Sequence, residues 1–304
     1  MKNRQEQKQV RKSLKELTLL DRFLFDTAMS DPEICRNILS IIFSDREISR
    51  LRYGTAEKTL EPFYDSRAVR LDLLAFDEND IVYDAEAQKE NKGKRFLFRR
   101  SRLYQSAIDV NLLKPGDLDF GKMNDVYVIF IAPFDLFGEN KYVYTFRMTC
   151  DEVPGLSMDD GAVRIFLNTR GRNDDEVPRG LVEFLHYAEA PERYGKVIED
   201  ARVQELASQI EMLKGSQEVG VKYMRLWEEL AEARIEGREE GLSEGHEAGL
   251  SEGLSQGHEA GMTDGILASI RNLMKQTGWP LEKALTMLDI PEDEHEKYLK
   301  LLEK

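Results

Sequence analysis

The chain has 304 residues, 41% hydrophobic content, a formal net charge of −14 and only two cysteines, Cys35 and Cys150. Two thiols exclude a disulfide framework, no Cys/His cluster has metal-ligand spacing, and no apolar run reaches the roughly 18 residues that span a bilayer. The opening MKNRQEQKQVRKSLKEL is charged with no apolar segment behind it, so the expectation is a reduced, cytoplasmic protein without a membrane partner.

In chain order, residues 17–43 repeat apolar positions at helical spacing. Asp31-Pro32 is expected to split them into two helices, Asp31 as N-cap and Pro32 at the first helical position. Residues 68–76 and 81–88 alternate with period two and read as strands. Residues 95–113 return to a helical period that Lys114-Pro115-Gly116 stops. NDVYVIFIAPF (124–134) reads as a central strand, KYVYTFRM (141–148) as its antiparallel neighbour and VRIFLNT (163–169) as a further strand. From about residue 181 the pattern is helical throughout. This order predicts an α/β fold with a mixed central sheet.

Charge is unevenly spread. Residues 200–304 carry 12 basic against 22 acidic side chains, whereas residues 1–199 carry 31 against 35. Within the latter, residues 89–102 (KENKGKRFLFRRSR) hold seven basic residues and one acid. That patch suits nucleic acid and a solvated helix face equally well.

The predicted hairpin RLDLLAFDENDIVYDAEAQKEN (70–91) carries acids inside its apolar runs. Strand side chains alternate faces, which puts Val82, Asp84, Glu86 and Gln88 on one side and Ile81, Tyr83, Ala85 and Ala87 on the other. A three-residue turn at Glu78-Asn79-Asp80 pairs Asp77 with Ile81 and sets Asp72 opposite Glu86; a slip of one residue would separate them. Opposed carboxylates roughly 5 Å apart repel and need a shared proton or a cation between them. Mg²⁺, which takes one or two protein carboxylates and keeps water and phosphate as its other ligands, meets that need. Gln88 points to the same side, able to orient a water or contact a phosphate. The alternative is a pair of solvent-facing acids on the wet side of the sheet. Asp84 shares the Glu86 face but falls opposite Leu74 and stays outside the expected metal set.

An Asp, about a dozen residues, then Glu-x-Gln on the next strand resembles the PD-(D/E)XK nuclease core in its E-x-Q variant. More specifically, LLDRFLFDTAMSDPEICRNILSIIF (19–43), RAVRLDLLAFDENDIVYDAEAQ (67–88), KRFLFRRSRLYQSAIDVNLLKPGDLD (94–119), VYVIFIAPFDLFG (126–138) and IFLNTRG (165–171) together resemble the PD-(D/E)XK nuclease family transposases of the recombination-promoting (Rpn) group. The resemblance implies a restriction-endonuclease-like core and a DNA endonuclease dependent on Mg²⁺ or Mn²⁺. Asp72 and Glu86 would be metal ligands, with Gln88 in the place of the more usual lysine. The R-x-Y-Q pattern falls on Arg102, Tyr104 and Gln105, making Arg102 a phosphate contact and Gln105 a site-lining residue. Phosphate contacts are expected from Lys92, Lys94, Arg99 and Arg102. Asp21 and Asp26 on the first helix are candidates for a further metal ligand or for a helix surface. The four histidines form no catalytic pattern, and Cys35 beside Ile34 reads as structural. A catalytically silent member acting as a DNA- or protein-binding module is the competing reading.

Beyond residue 200, glycine recurs every fourth position from Gly237 to Gly265. Eight glycines cost a helix on the order of 7 kcal/mol relative to alanine, so residues 237–265 are expected to be helical only when packed on a partner, most simply as a homodimer. Residues 266–304 read as a helical hairpin with a stop at Gly278-Trp279-Pro280. The division is thus a nuclease-like domain at 1–199 and an α-helical extension at 200–304.

Overall fold

The computed structural model describes residues 12–60, 69–113, 116 and 119–302. Helix α1 spans Arg22–Met29 and α2 spans Pro32–Ile42. Between them the Asp31 carboxylate accepts from the amides of Glu33 (2.9 Å) and Ile34 (3.2 Å), and Pro32 sits where the helix requires no amide partner. Residues 1–11 of the charged opening and the Lys114-Pro115 stop lie outside the described residues.

Among the described residues the sheet has six strands: β1 Leu51–Leu60, β2 Val69–Asp77, β3 Val82–Ala87, β4 Val126–Ala132, β5 Val143–Phe146 and β6 Ala162–Asn168. Their order is β1-β2-β3-β4-β6-β5. The β3–β4 and β4–β6 pairs are parallel and the others antiparallel, so the α/β fold is built on a mixed sheet. β4 is buried along its whole length, as its run of apolar and β-branched residues requires.

Two strand assignments differ from the sequence reading. β5 pairs with β6 rather than β4, because β4 is occupied on both edges by its parallel partners. The short, half-exposed VYTF segment takes the outer edge instead. β1 escapes a period-two search: LRYGTAEKTL is polar, contains Gly54 and loses register with β2 between Arg52 and Thr55.

Helix α3, Lys94–Leu112, covers one face of the sheet. Its Leu97, Tyr104, Ala107 and Ile108 pack on Leu74, Val82, Val126, Val128 and Phe130. The other parity of the strands faces α2: the Tyr83 and Tyr127 rings lie 5.7 Å apart, each 5.2 Å from Phe43 just beyond α2. Behind α2 lie α4 (Arg179–Glu189) and α6 (Ala201–Gly215), joined through the short α5 (Pro191–Tyr194). The Asn37 amide donates to the Arg202 carbonyl (3.1 Å) and Arg202 Nη1 to the Ser40 carbonyl (3.0 Å). These bonds place α6 with the sheet, and the chain divides into compact units at Arg225/Leu226 rather than at 199/200.

Helix α7 spans Gln217–Thr277, followed by α8, Leu281–Met287, and α9, Glu292–Leu302. In the second unit, Leu267 and Ile270 of α7 close a small core with Ala284, Leu285, Ile290 and Tyr298. The expected hairpin is therefore a three-helix arrangement that includes the end of α7. Gly278 ends α7 at φ 70°, a conformation that favours glycine at a helix C-terminus. The glycine row is helical, and a Cβ added at any of Gly237 to Gly265 would meet nothing within 4 Å. Among the described residues no helix is long and apolar enough to cross a membrane.

Phe130 tests the core under α3: its ring stacks on Phe166 at 5.5 Å and lies 6.3 Å from Tyr104. Phe130→Ala is expected to cost about 3–5 kcal/mol, read in urea unfolding as a lower midpoint with unchanged slope.

Candidate functional site

The site is assembled from one turn. The Asp77 amide donates to the Ile81 carbonyl at 3.1 Å, while Asp77 Oδ1 accepts from the amides of Asn79 and Ile81, both at 2.9 Å. The Tyr83 hydroxyl donates to Asp77 Oδ2 at 3.0 Å. Asp80 adopts φ 63°, a left-handed conformation that aspartate tolerates better than most residues. The resulting register pairs Ala75 with Tyr83 and Phe76 with Val82, as the three-residue turn predicts. Further along, the Asp72 amide donates to Glu86 Oε1 at 2.8 Å, so the two acids are brought together.

Neither acid faces solvent. Asp72 is 5% exposed and Glu86 0%, which removes the wet-face alternative. Two further carboxylates join them. Asp84 is 0% exposed, and among the described residues neither of its oxygens has a hydrogen-bond partner. Asp26, on the buried side of α1, lies 3.4 Å from Arg22 Nε, and Arg22 Nη2 reaches to 3.7 Å from Asp72 Oδ1. Asp26 thus belongs to the site, not to the helix surface. Asp21 turns elsewhere, accepting from the Thr18 amide at 2.9 Å and pairing with Lys89.

Arg100, from α3, completes the arrangement. Its Nη2 donates to Glu86 Oε2, Nη1 to Gln88 Oε1 at 2.8 Å and Nε to the Tyr104 hydroxyl at 2.7 Å. This fork uses the planar geometry that distinguishes arginine from lysine. Gln88 is held at both ends, since its Nε2 donates to the Glu90 carbonyl at 2.6 Å. In this arrangement Gln88 links Arg100 to the Glu90 backbone.

Electrostatics follow from three buried acids that act on one another, Asp72, Asp84 and Glu86, with Arg100 beside them. Burial pushes Glu86 up to about 8, the Asp72 charge adds to the rise, and Arg100 opposes it. Burial likewise raises Asp84 well above the usual carboxylate range, with Glu86 and Asp72 adding to the effect. The Tyr104 phenol is raised by burial and by the Glu86 charge. Asp21 moves the other way: burial pushes it up, but its bonds to Lys89 and Thr18 hold it below the usual range.

The residues expected to meet DNA fall into two groups. Lys92, Lys94, Arg99 and Arg102 are exposed on or just before α3. Lys92 lies 3.7 Å from Glu90, and Lys94 donates to the Phe137 carbonyl at 3.4 Å. Gln105 is buried and donates to Asp109 at 3.2 Å, so it lines the helix–sheet core rather than the exposed face. Tyr104 serves both readings, packed in the core and bonded to Arg100. His186 stacks on Tyr194 at 4.6 Å and lines a cavity of about 480 Å³ with Asp174, Arg179 and Glu183, a lining that includes none of the acid quartet.

Sequence reasoning passed over Arg100, Arg22 and the burial of Asp84. Helical spacing contains a signal for Arg100: it lies three residues after buried Leu97 and four before buried Tyr104, at the margin of the inner face. Arg22 has the same relation to Asp26. Among the described residues, no three His, Cys, Asp or Glu side chains are gathered as a metal cluster. Comparison with protein-family models, curated proteins and solved structures returned no match.

Asp84 gives a pH test with a defined sign. Its folded-state pKa lies above the unfolded value, so the Asp84 contribution to stability is fully present below the unfolded pKa and is lost as pH rises toward the folded one. Asp84→Asn lacks this titration. Its stability relative to wild type should rise as pH climbs above the usual carboxylate range, measured by chemical unfolding at each pH. A difference independent of pH would remove the raised Asp84.

Proposed function

We propose that the sheet-containing unit is a divalent-metal-dependent DNA endonuclease of the PD-(D/E)XK type, related to the family transposases of the recombination-promoting group. The observation that carries this reading is the convergence of Asp72 and Glu86, buried and joined by the 2.8 Å bond, with Gln88 alongside. The exposed basic residues of α3 supply the complementary charge for DNA.

The donor set fits Mg²⁺ or Mn²⁺. Carboxylate oxygens are the hard ligands these ions prefer, and Mg²⁺ needs no more than one or two of them from the protein. The buried oxygens of Asp84, without a hydrogen-bond partner among the described residues, and the Asp72 charge beside Glu86 leave carboxylate oxygen in the site that a cation would suit. Asp72 and Glu86 are the residues that would hold the ion. When bound, the ion would lower the pKa of a water and offset charge on the scissile phosphate.

The protein's own groups perform the positioning. The Asp72 amide fixes Glu86 Oε1, and Arg100 fixes Oε2 together with the Gln88 amide. Glu86 must be ionised to bind a cation, so metal affinity rises with pH toward about 8. Lys92, Lys94, Arg99 and Arg102 hold phosphates without reading bases. The competing reading, a silent binding module, is favoured by one observation: both ends of Gln88 are engaged by Arg100 and Glu90.

Plasmid nicking with Mg²⁺ or Mn²⁺ separates the two readings. Asp72→Ala and Glu86→Ala should abolish nicking while remaining folded, and Mn²⁺ should raise the melting temperature of the wild type alone. Nicking at the wild-type rate by both variants refutes the site; DNA binding without any nicking supports the silent module. Affinity should fall steeply with salt.

The proposal includes a homodimer formed through α7. Leu242, Leu250 and Leu254, each next to a ladder glycine, are exposed at 58–67%, and close helix approach over the glycines would cover them. The ladder drifts about 40° per four residues on a straight helix, so a right-handed winding is required. Solution mass should show a dimer for the intact chain and a monomer for a chain ending before Arg234. Two monomers would refute the assembly.

A further inference from the structure

The outer face of α3 is not simply basic. Arg95, Arg99 and Arg102 recur at helical spacing and form one exposed stripe. None of the three forms an ion pair with a described carboxylate. Aromatic side chains flank the stripe: Phe96 is 47% exposed, and the Lys92 ammonium lies 5.6 Å from its ring centroid. On the other flank Phe98 is 38% exposed, stacked on Phe137 at 5.4 Å and 6.4 Å from Phe146. Phe146 is 42% exposed at the end of β5, and the adjoining Arg147 is also exposed. Phe137 lines a narrow crevice together with Gln88 and Leu97, so this flank runs up to the acid site.

Resting on the nucleic-acid reading, we infer that this face binds single-stranded DNA, with phosphates along Arg95, Arg99 and Arg102 and bases stacked on Phe96 and on the Phe98–Phe146 platform. A duplex offers such a surface only its phosphates, because its bases already stack on one another. An unpaired strand offers both phosphates and free π faces, and each stacked base adds attraction that is indifferent to sequence. Isolated exposed apolar residues are ordinary, but aromatics on both flanks of an arginine stripe that pairs with no described carboxylate match one partner chemistry. The preferred substrate of the adjoining site is accordingly an unpaired strand, such as an overhang, a frayed end or a transiently opened stretch of a supercoiled plasmid.

Fluorescence anisotropy in EDTA, with labelled oligothymidylate and an oligo(dA)·oligo(dT) duplex of equal length, tests this. The single strand should bind at least tenfold more tightly than the duplex. Phe96→Ala should weaken single-strand binding by about tenfold, leave duplex binding unchanged and retain the wild-type melting temperature; Phe96→Trp should restore the affinity. Equal or tighter duplex binding, or no effect of Phe96→Ala, overturns the single-strand assignment and leaves the endonuclease reading standing. If neither DNA binds, both fail. Binding to phosphatidylserine vesicles in preference to either DNA overturns the assignment in favour of a lipid surface.

Discussion

The Arg100 fork is the contact on which the site depends. A single guanidinium joins α3 to β3 by bonding Glu86, Gln88 and Tyr104 at once. Without it the fully buried Glu86 would face Asp72 and Asp84 with no close positive charge from α3, and an uncompensated buried charge costs about 3–5 kcal/mol. The helix–sheet core and the acid cluster are therefore one structure. Leu97 and Tyr104 anchor the helix on either side of Arg100, and that anchoring holds the guanidinium against the strand.

A second guanidinium extends the logic across the sheet. Arg22 lies between Asp26 on its own helix and Asp72 on β2, so α1 is tied to the site through charge as well as through packing. The two arginines approach from different elements, and Asp84, buried beside Glu86 and Asp72, has no hydrogen bond among the described residues. A buried carboxylate in that state favours its proton. The site holds its acids near one another by keeping part of them neutral, an arrangement that a divalent ion would relax.

The local layout was legible because it rests on short-range chemistry. Asp31-Pro32 marked a helix boundary through capping, and the turn after Asp77 fixed the strand register through its length. Alternation then placed Asp84, Glu86 and Gln88 on the face that α3 covers. Three features were beyond that kind of reading. The neighbour of a strand is not encoded in its own period, so β5 was placed beside the wrong partner. β1 carries a polar edge-strand sequence with a register break, which erases the alternation on which strand detection depends. Arg100 looked like one basic residue among seven, because its inward tilt depends on how α3 rotates against the sheet. The extent of burial of Asp84 likewise depends on α3 closing over the hairpin, a tertiary event with no local signature.

The unpartnered Asp84 also bears on how such a chain drifts. Replacing a buried, unbonded acid with an apolar residue of similar volume generally leaves stability unchanged or improves it. Most substitutions lower stability, so a stabilising one that harms nothing is readily tolerated. A lineage with no use for the acid cluster would therefore have thermodynamics pulling it toward losing Asp84, while a lineage that uses the cluster is pulled the other way by selection. Asp84 is thus an acid that no hydrogen bond among the described residues ties to the fold, whereas Glu86 is bound into the Arg100 fork.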